Sequence, residues 1–579
     1  MQDKKYVSYS EFGAKGDGVT NDFAAIRAAH AYANENGLSV KIEGEPTYYI
    51  SETTINDKVE AIVIKTDVDF GKAKFIIDDE RLAYSDREAK DFVFKVVSDY
   101  DVITITDEQI LKKLSGIGEG TKKLSVSFGY PALVVPYNEN RQVYNRYGKS
   151  FQERGGQSSP TREILLIDKD GNVDESTPFM FEYDVVTKLQ VYRCDDKPIT
   201  LRGGIFTTVA SRFNIFPVGE DGERTVIYGY IKRGIMVSRS HTVFDGVSHY
   251  MQGEYDVAEE KELGVGGPCY SGFFSASNAN EVTFKDCIMT GKRCYRRPKG
   301  GTGGTYDFSA SMVNKIVLSG CTQSNFYVDT TTGRAPTADS SPDNVVLSMS
   351  DSKVTGTIMC WGIGGTNFCK NMEYYGCKLS RFDAHQGLLN GKIIDSTITF
   401  MALTGKGKLI LENTHWLSPG PGPVNNCMLY LRNDYGSTWD GSITLKNCKA
   451  TVSDGEFYVL QHSYINWDYG YVCHFPSVEV DNLEITNRPN GAAFSFTSEW
   501  KSMGLEPNLH LPETKNVPFV HPDDKSEKMI NVNPVAPPKF IKIVGNERGY
   551  KYLMTENLPF FANTKIEGIE FVEKNEREI

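Results

Sequence analysis

Val282-Thr283-Phe284-Lys285-Asp286-Cys287 and Ile316-Val317-Leu318-Ser319-Gly320-Cys321 follow one pattern: apolar, any, apolar, then polar or Gly, then a small residue. Strict alternation of this kind is a strand with one face turned to a core. The pattern returns in Thr242-Val243-Phe244-Asp245-Gly246, in Val346 to Ser352, in Met372 to Cys377 and in Lys392 to Ser396. It continues through Leu409 to Thr414, Ile443 to Cys448 and Val478 to Asn482. A short strand repeated this often cannot bury its apolar face alone, so each copy has to stack on the next, coil upon coil. In the register so defined, Gly246, Cys287, Cys321, Ser352, Cys377, Ser396, Thr414, Cys448 and Asn482 form a ladder of small side chains. Most cysteines are then packing residues, in keeping with the absence of CxxC pairs.

Outward from the repeat, composition sets bounds. The 579 residues are 40% hydrophobic and 24% charged, with 53 Gly, which suits a turn-rich globular protein. A net charge of -12 argues against nucleic acid as a partner, since phosphate binding needs a concentrated basic face. No apolar run is long enough to span a membrane. The start, Met1-Gln2-Asp3-Lys4-Lys5, has no apolar signal core. The expectation is a secreted, periplasmic or cell-surface protein whose signal peptide is absent from this sequence.

Residues 12–26, FGAKGDGVTNDFAAI, place Gly13, Gly16 and Gly18 in a tight loop, with Thr20 or Asn21 as the N-cap of an alanine-rich helix. No strand precedes the loop at dinucleotide spacing and no Gly-Lys-Ser/Thr follows it, so the glycines do not read as a phosphate cradle. The segment from Phe12 to Ile42 resembles the opening of the pectate-lyase-like, right-handed parallel β-helix superfamily. That resemblance implies an all-β solenoid whose first coil is capped by the helix. It also implies a carbohydrate-active protein, for the superfamily holds polygalacturonase-like hydrolases, polysaccharide lyases, glucanases and phage tailspikes. The expected organisation is a cap and first coils over 1–103, an inserted β-rich subdomain over 104–198, the main β-helix over 199–505, and a C-terminal linker with closing strands over 506–579.

Counting back from the ladder residues aligns Thr305 to Ser309, Trp361 to Ile363, Arg381 to His385, Met401 to Leu403 and Tyr430 to Asp434 as neighbouring strands of one sheet. Alternation puts Arg381, Asp383 and His385 on the outward face and Phe382 and Ala384 inward. Asp383 and Asp434 are then the carboxylate pair of a glycoside hydrolase, about 9–10 Å apart at two coils' spacing, with His385 beside them. Asp307, Arg381, Arg432, Trp361, Tyr430 and Trp439 read as substrate contacts, the aromatic faces as sugar platforms. The same row also suits a solvated ladder of surface ion pairs. Polygalacturonase-like hydrolases carry Asn-Thr-Asp, an Asp pair, Gly-His-Gly and Arg-Ile-Lys on successive coils, and that series does not stand here. Three functions stay open: a hydrolase needing no cofactor; a lyase acting on a uronate glycan, in which His385, Arg381 or Arg432 abstracts the proton α to the carboxylate and Asp residues hold calcium or the substrate's charge; and a non-catalytic glycan-binding or tailspike-like adhesin. Each has a polysaccharide or oligosaccharide as its partner.

Overall fold

The computed structural model describes residues 5–146, 157–212, 230–253, 269–290, 292–293, 304–306, 308–323, 363–385, 387–417, 427–432, 439–451, 457–462, 474–486, 494–497, 514–520, 527–532, 541–544 and 569–572. They fall into two compact units. One holds residues 1–102, 192–326 and 361–364, the other 103–191, 327–360 and 365–579.

In the first unit, Thr242–Asp245, Glu281–Lys285 and Lys315–Ser319 pair parallel and in register, with Phe244 opposite Phe284 and Phe284 opposite Leu318. The inward residues are fully buried, and the Phe244 and Phe284 rings stack at 5.0 Å. Each of these strands ends at a residue in the left-handed region: Gly246 (φ 70°), Asp286 (50°) and Gly320 (65°). The second unit repeats the device at Gly376, Asp395, Asn413, Asn447 and Asn482. Only Gly, and to a lesser degree Asn and Asp, adopt this conformation cheaply, which is why the slot reads as polar or Gly. The corner turns the chain into a further strand of the same coil: Ser248–Gln252, Ile288–Met289 and Thr322–Gln323 in the first unit. Strands preceding the corner, Ile235–Ser238, Phe274–Ser277 and Phe308–Ser311, stack parallel in a sheet of their own. Stacked parallel coils with three strand sets are a parallel β-helix, and the chain is the all-β protein its repeat predicts.

The ladder of small residues needs correction at both ends. Gly246 donates its N–H to Lys285, which sets it beside the corner residue Asp286. Asn482 likewise lies beside Asn447, to which its side chain donates. The ladder positions of those coils are Val247 and Leu483, both fully buried. The error has a physical source: a Gly or Asn that serves the corner looks, in sequence, like a small packing residue. The middle of the ladder stands as expected except Ser352, which lies outside the described residues. Cys321 Sγ donates to the carbonyl of Phe284 (3.3 Å), Thr414 Oγ1 to that of Ile393 (2.7 Å) and Cys448 Sγ to that of Leu411 (3.5 Å). These three ladder residues thus meet a carbonyl of the preceding coil.

Helix Phe23–Asn36 buries Phe23, Ile26, Ala29, His30 and Ala33. Its N-cap is Asp22, not Thr20 or Asn21, and the Asp22 carboxylate reaches back to accept the N–H of Lys15 (2.6 Å) and Gly16 (3.0 Å). In the second unit, Ala132–Arg146 pairs antiparallel with Gln157–Arg162 and Leu165–Ile167. This sheet has its own core of Leu111, Leu114, Val134, Leu165, Tyr183 and Leu189.

Candidate functional site

Strand Lys378–Asp383 follows the corner Gly376 and the ladder residue Cys377, and it pairs with Thr397–Leu403: Arg381 opposite Phe400, Phe382 opposite Met401, Asp383 opposite Ala402. The next coil adds Cys427–Leu431, with Ala402 opposite Tyr430. Phe382 and Ala384 are fully buried, and the Phe382 ring meets that of Tyr374 edge to face at 5.2 Å. Alternation therefore puts Arg381, Asp383 and His385 on the other face, as the sequence implies.

Arg432 stands two strands away, roughly 9–10 Å at normal strand spacing. The intervening coil carries only Ala402 and Thr404 at the matching positions, so nothing large blocks its path. Arg432 Nη1 lies 3.1 Å from Asp383 Oδ1, 3.4 Å from Oδ2 and 2.5 Å from His385 Nε2. The Arg381 guanidinium pairs with Asp383 Oδ2, and His385 Nε2 lies 2.9 Å from the same oxygen. Arg381 also stands over the Phe400 ring, 5.4 Å from its centroid.

This row is not solvated. Side-chain exposure is 0% for Asp383, 3% for Arg381, 8% for His385 and 11% for Arg432. The surface-ladder alternative is therefore wrong, because a surface pair trades water for little while a buried cluster stands or falls together. Burial alone would raise Asp383, but the charges of Arg381 and Arg432, with the hydrogen bond of His385, overturn it and hold the carboxyl well below the usual range. Burial takes His385 down to about 4 against the pull of Asp383. At neutral pH the cluster holds a carboxylate, a neutral imidazole and two guanidinium groups. It can accept a proton and meet negative charge, but it holds no carboxylic acid ready to give a proton away.

The other expected contacts divide. Asp307, Trp361 and Asp434 lie outside the described residues. The strand beside Asp307, Phe308–Ser311, belongs to the set before the corner, whereas Lys378–Asp383 follows its corner. The single stack drawn through both is therefore wrong. Cys377 and Ser396 are only 19 residues apart, so counting back from one ladder residue or forward from the previous one reaches the same strand in short coils. In longer coils the two counts reach different strands. Tyr430 is 8% exposed and packs with Phe400, Ala402 and Cys427. Trp439 is fully buried against Gly405, where a Cβ would lie 3.1 Å from its ring, so it packs and offers no face to a sugar. Among the described residues, no group of three or more His, Cys, Asp or Glu is placed to hold a metal ion.

One buried carboxyl escaped notice in the sequence. Asp79 stands in the acidic run Asp78-Asp79-Glu80. In the fold it is enclosed in the first unit, where Arg233 Nε donates to its Oδ1 (2.8 Å) and Arg233 Nη1 to Thr53 Oγ1 (2.9 Å). Burial pushes Asp79 up to about 6, against the charge of Arg233. A folded value above the unfolded one means the folded state holds the proton more tightly between pH 4 and 6. Asp79 thus adds stability at low pH that is lost as the pH rises through about 6, by about 1.4 kcal/mol per unit at most. Urea midpoints compared across pH 4–7 are expected to show this slope in the native chain and its absence in Asp79→Asn. His30 and His249, drawn by burial to about 3, act in the opposite sense, their contribution falling away as the pH drops below 6.5.

No protein-family model matches the chain, and no curated protein matches it. Among solved structures it is similar to the tailspike protein of Pseudomonas phage LKA1 (11% identity, 94% of this chain and 81% of that one, TM-score 0.40). It is similar also to a surface adhesin of Streptococcus pneumoniae (7%, 92% and 100%, 0.32) and to an exopolygalacturonase of Thermotoga maritima (11%, 99% and 91%, 0.31). The chain is a parallel β-helix protein. Tailspikes and exopolygalacturonases of this kind share that fold, which the strand register of this chain displays by itself.

Proposed function

We propose that this parallel β-helix protein cleaves a polysaccharide, as a glycoside hydrolase whose carboxylate pair is Asp383 and Asp434. The observation that carries the proposal is the convergence of Arg381 and Arg432 on Asp383, which keeps the carboxyl ionised although it is buried. A hydrolase of the inverting type pairs an ionised carboxylate with a carboxylic acid on the far side of the bond. Asp434 is our candidate for that acid, because it follows two residues after Arg432, whose guanidinium lies on Asp383.

A second reading, a lyase on a uronate glycan, draws support from the cluster's two guanidinium groups and its neutral imidazole. They suit neutralisation of a substrate carboxylate and removal of the neighbouring proton. A third, a glycan-binding adhesin, requires no turnover at all.

The test is a screen of plant, algal and host polysaccharides for release of reducing ends, repeated with Asp383→Asn and Asp434→Asn. The hydrolase reading expects cleavage in the native chain, a loss of at least about a hundredfold in each variant, and products without near-ultraviolet absorbance. Absorbing, unsaturated products would replace it with the lyase. Glycan retention without new reducing ends would replace it with the adhesin.

A further inference from the structure

The sheet of residues 132–167 and the coils after residue 365 meet at Lys370. Its Nζ donates to Glu163 Oε2 (2.7 Å) and to the carbonyl of Pro178 (2.5 Å), and the two charged side chains are 1% and 2% exposed. Glu163 also accepts the N–H groups of Met180 (2.8 Å) and Phe181 (3.0 Å), so the pair is satisfied from several sides. The grip extends to both neighbours of this turn. Arg162 stands 5.8 Å from the centroid of the Phe368 ring, and Asn371 Nδ2 donates to the carbonyl of Ser176 (2.9 Å).

The same turn carries the chain that leaves the candidate site. The carbonyl of Lys370 accepts the N–H of Leu389 (2.7 Å) and of Asn390 (2.9 Å). Gly387 (φ 85°) approaches so closely that a Cβ there would lie 2.7 Å from Phe368 Cα. Gly387 is two residues beyond His385. A displacement of Phe368 or Lys370 is therefore passed to the end of the strand that holds His385 and Asp383, with little slack to absorb it.

We infer that Glu163 and Lys370 are positioning residues: the inserted sheet grips the turn that sets His385 against Asp383 and Arg432, and so tunes the site without touching its substrate. The inference rests on the reading of that cluster as the catalytic site. A buried ion pair kept only for stability can be replaced by an uncharged pair of similar shape at little cost, whereas a pair that fixes geometry cannot.

The experiment uses the full chain with Glu163→Gln, Lys370→Met, the double variant and Lys370→Arg, each assayed well below its own unfolding temperature. Expected is a fall in kcat of roughly tenfold or more in Lys370→Met and in the double variant, with KM changed little and partial recovery in Lys370→Arg. Expected too, and independent of turnover, is a displaced His385 titration by NMR in Glu163→Gln. A double variant that keeps the native kcat and the native His385 titration, and differs only in unfolding temperature, overturns the inference. Undiminished cleavage in Asp383→Asn overturns the underlying reading of the site, and that result is obtained without any change at Glu163 or Lys370.

Discussion

Asp383→Ala is expected to destabilise the folded chain by about 3–5 kcal/mol, because it leaves Arg381 and Arg432 buried without their shared counter-charge. It is expected to abolish cleavage at the same time. Stability and catalysis have to be separated by the assay temperature, because Asp383→Asn also removes the counter-charge and shares part of that loss. That variant keeps the shape and the hydrogen-bond acceptor but removes the negative charge. Urea unfolding measures the first effect, and reducing-end release at a temperature where the variant remains folded measures the second. Unchanged urea midpoints in Asp383→Ala would mean that the guanidinium groups find water or other partners, and would remove the cluster's claim to be buried and coupled.

Gly407→Ala is expected to cost about 3 kcal/mol or more, from a backbone position alone. Gly407 has φ 112° and lies opposite Gly441 in the stack, and a Cβ would stand 2.1 Å from the carbonyl oxygen of Leu389. The obstacle is backbone, which has no rotamer to yield. Gly376→Ala is the control: its φ of 61° is also left-handed, but nothing lies within 4 Å of the added methyl. That variant should lose only about 1–2 kcal/mol, the conformational part alone. Equal losses at the two sites, read from thermal or chemical midpoints, would show that conformation and not contact sets the cost.

Much of the architecture was legible because its causes are local. Phe284 and Leu318 announce an inward face by alternation, and Asp286, Gly320 and Asn447 mark corners that few residues tolerate. Cys287, Cys321 and Cys448 recur at the ladder, where each thiol meets a carbonyl of the coil before it. Where two local causes favour one residue type, the signal becomes ambiguous, as with Gly246 and Asn482, which serve the corner while resembling ladder residues. The candidate site was legible only in part. The shared face of Arg381, Asp383 and His385 follows from period two, and so does the inward turn of Phe382. Trp439 shows the limit: an aromatic residue near a carboxylate reads as a sugar platform until its burial against Gly405 is known.

The sequence alone determined a repeat of short strands, the residues at its corners and the face on which Asp383 stands, since each depends on neighbours one or two residues away. Tertiary structure decided that Arg432 reaches Asp383 over Ala402 and Thr404, that the cluster is buried rather than solvated, and that Asp79 is enclosed with Arg233. It decided also that Glu163 meets Lys370 across 207 residues of chain. These depend on the spacing between coils and on side chains far apart in the chain, and burial is a property of what surrounds a residue, which no run of neighbouring letters records.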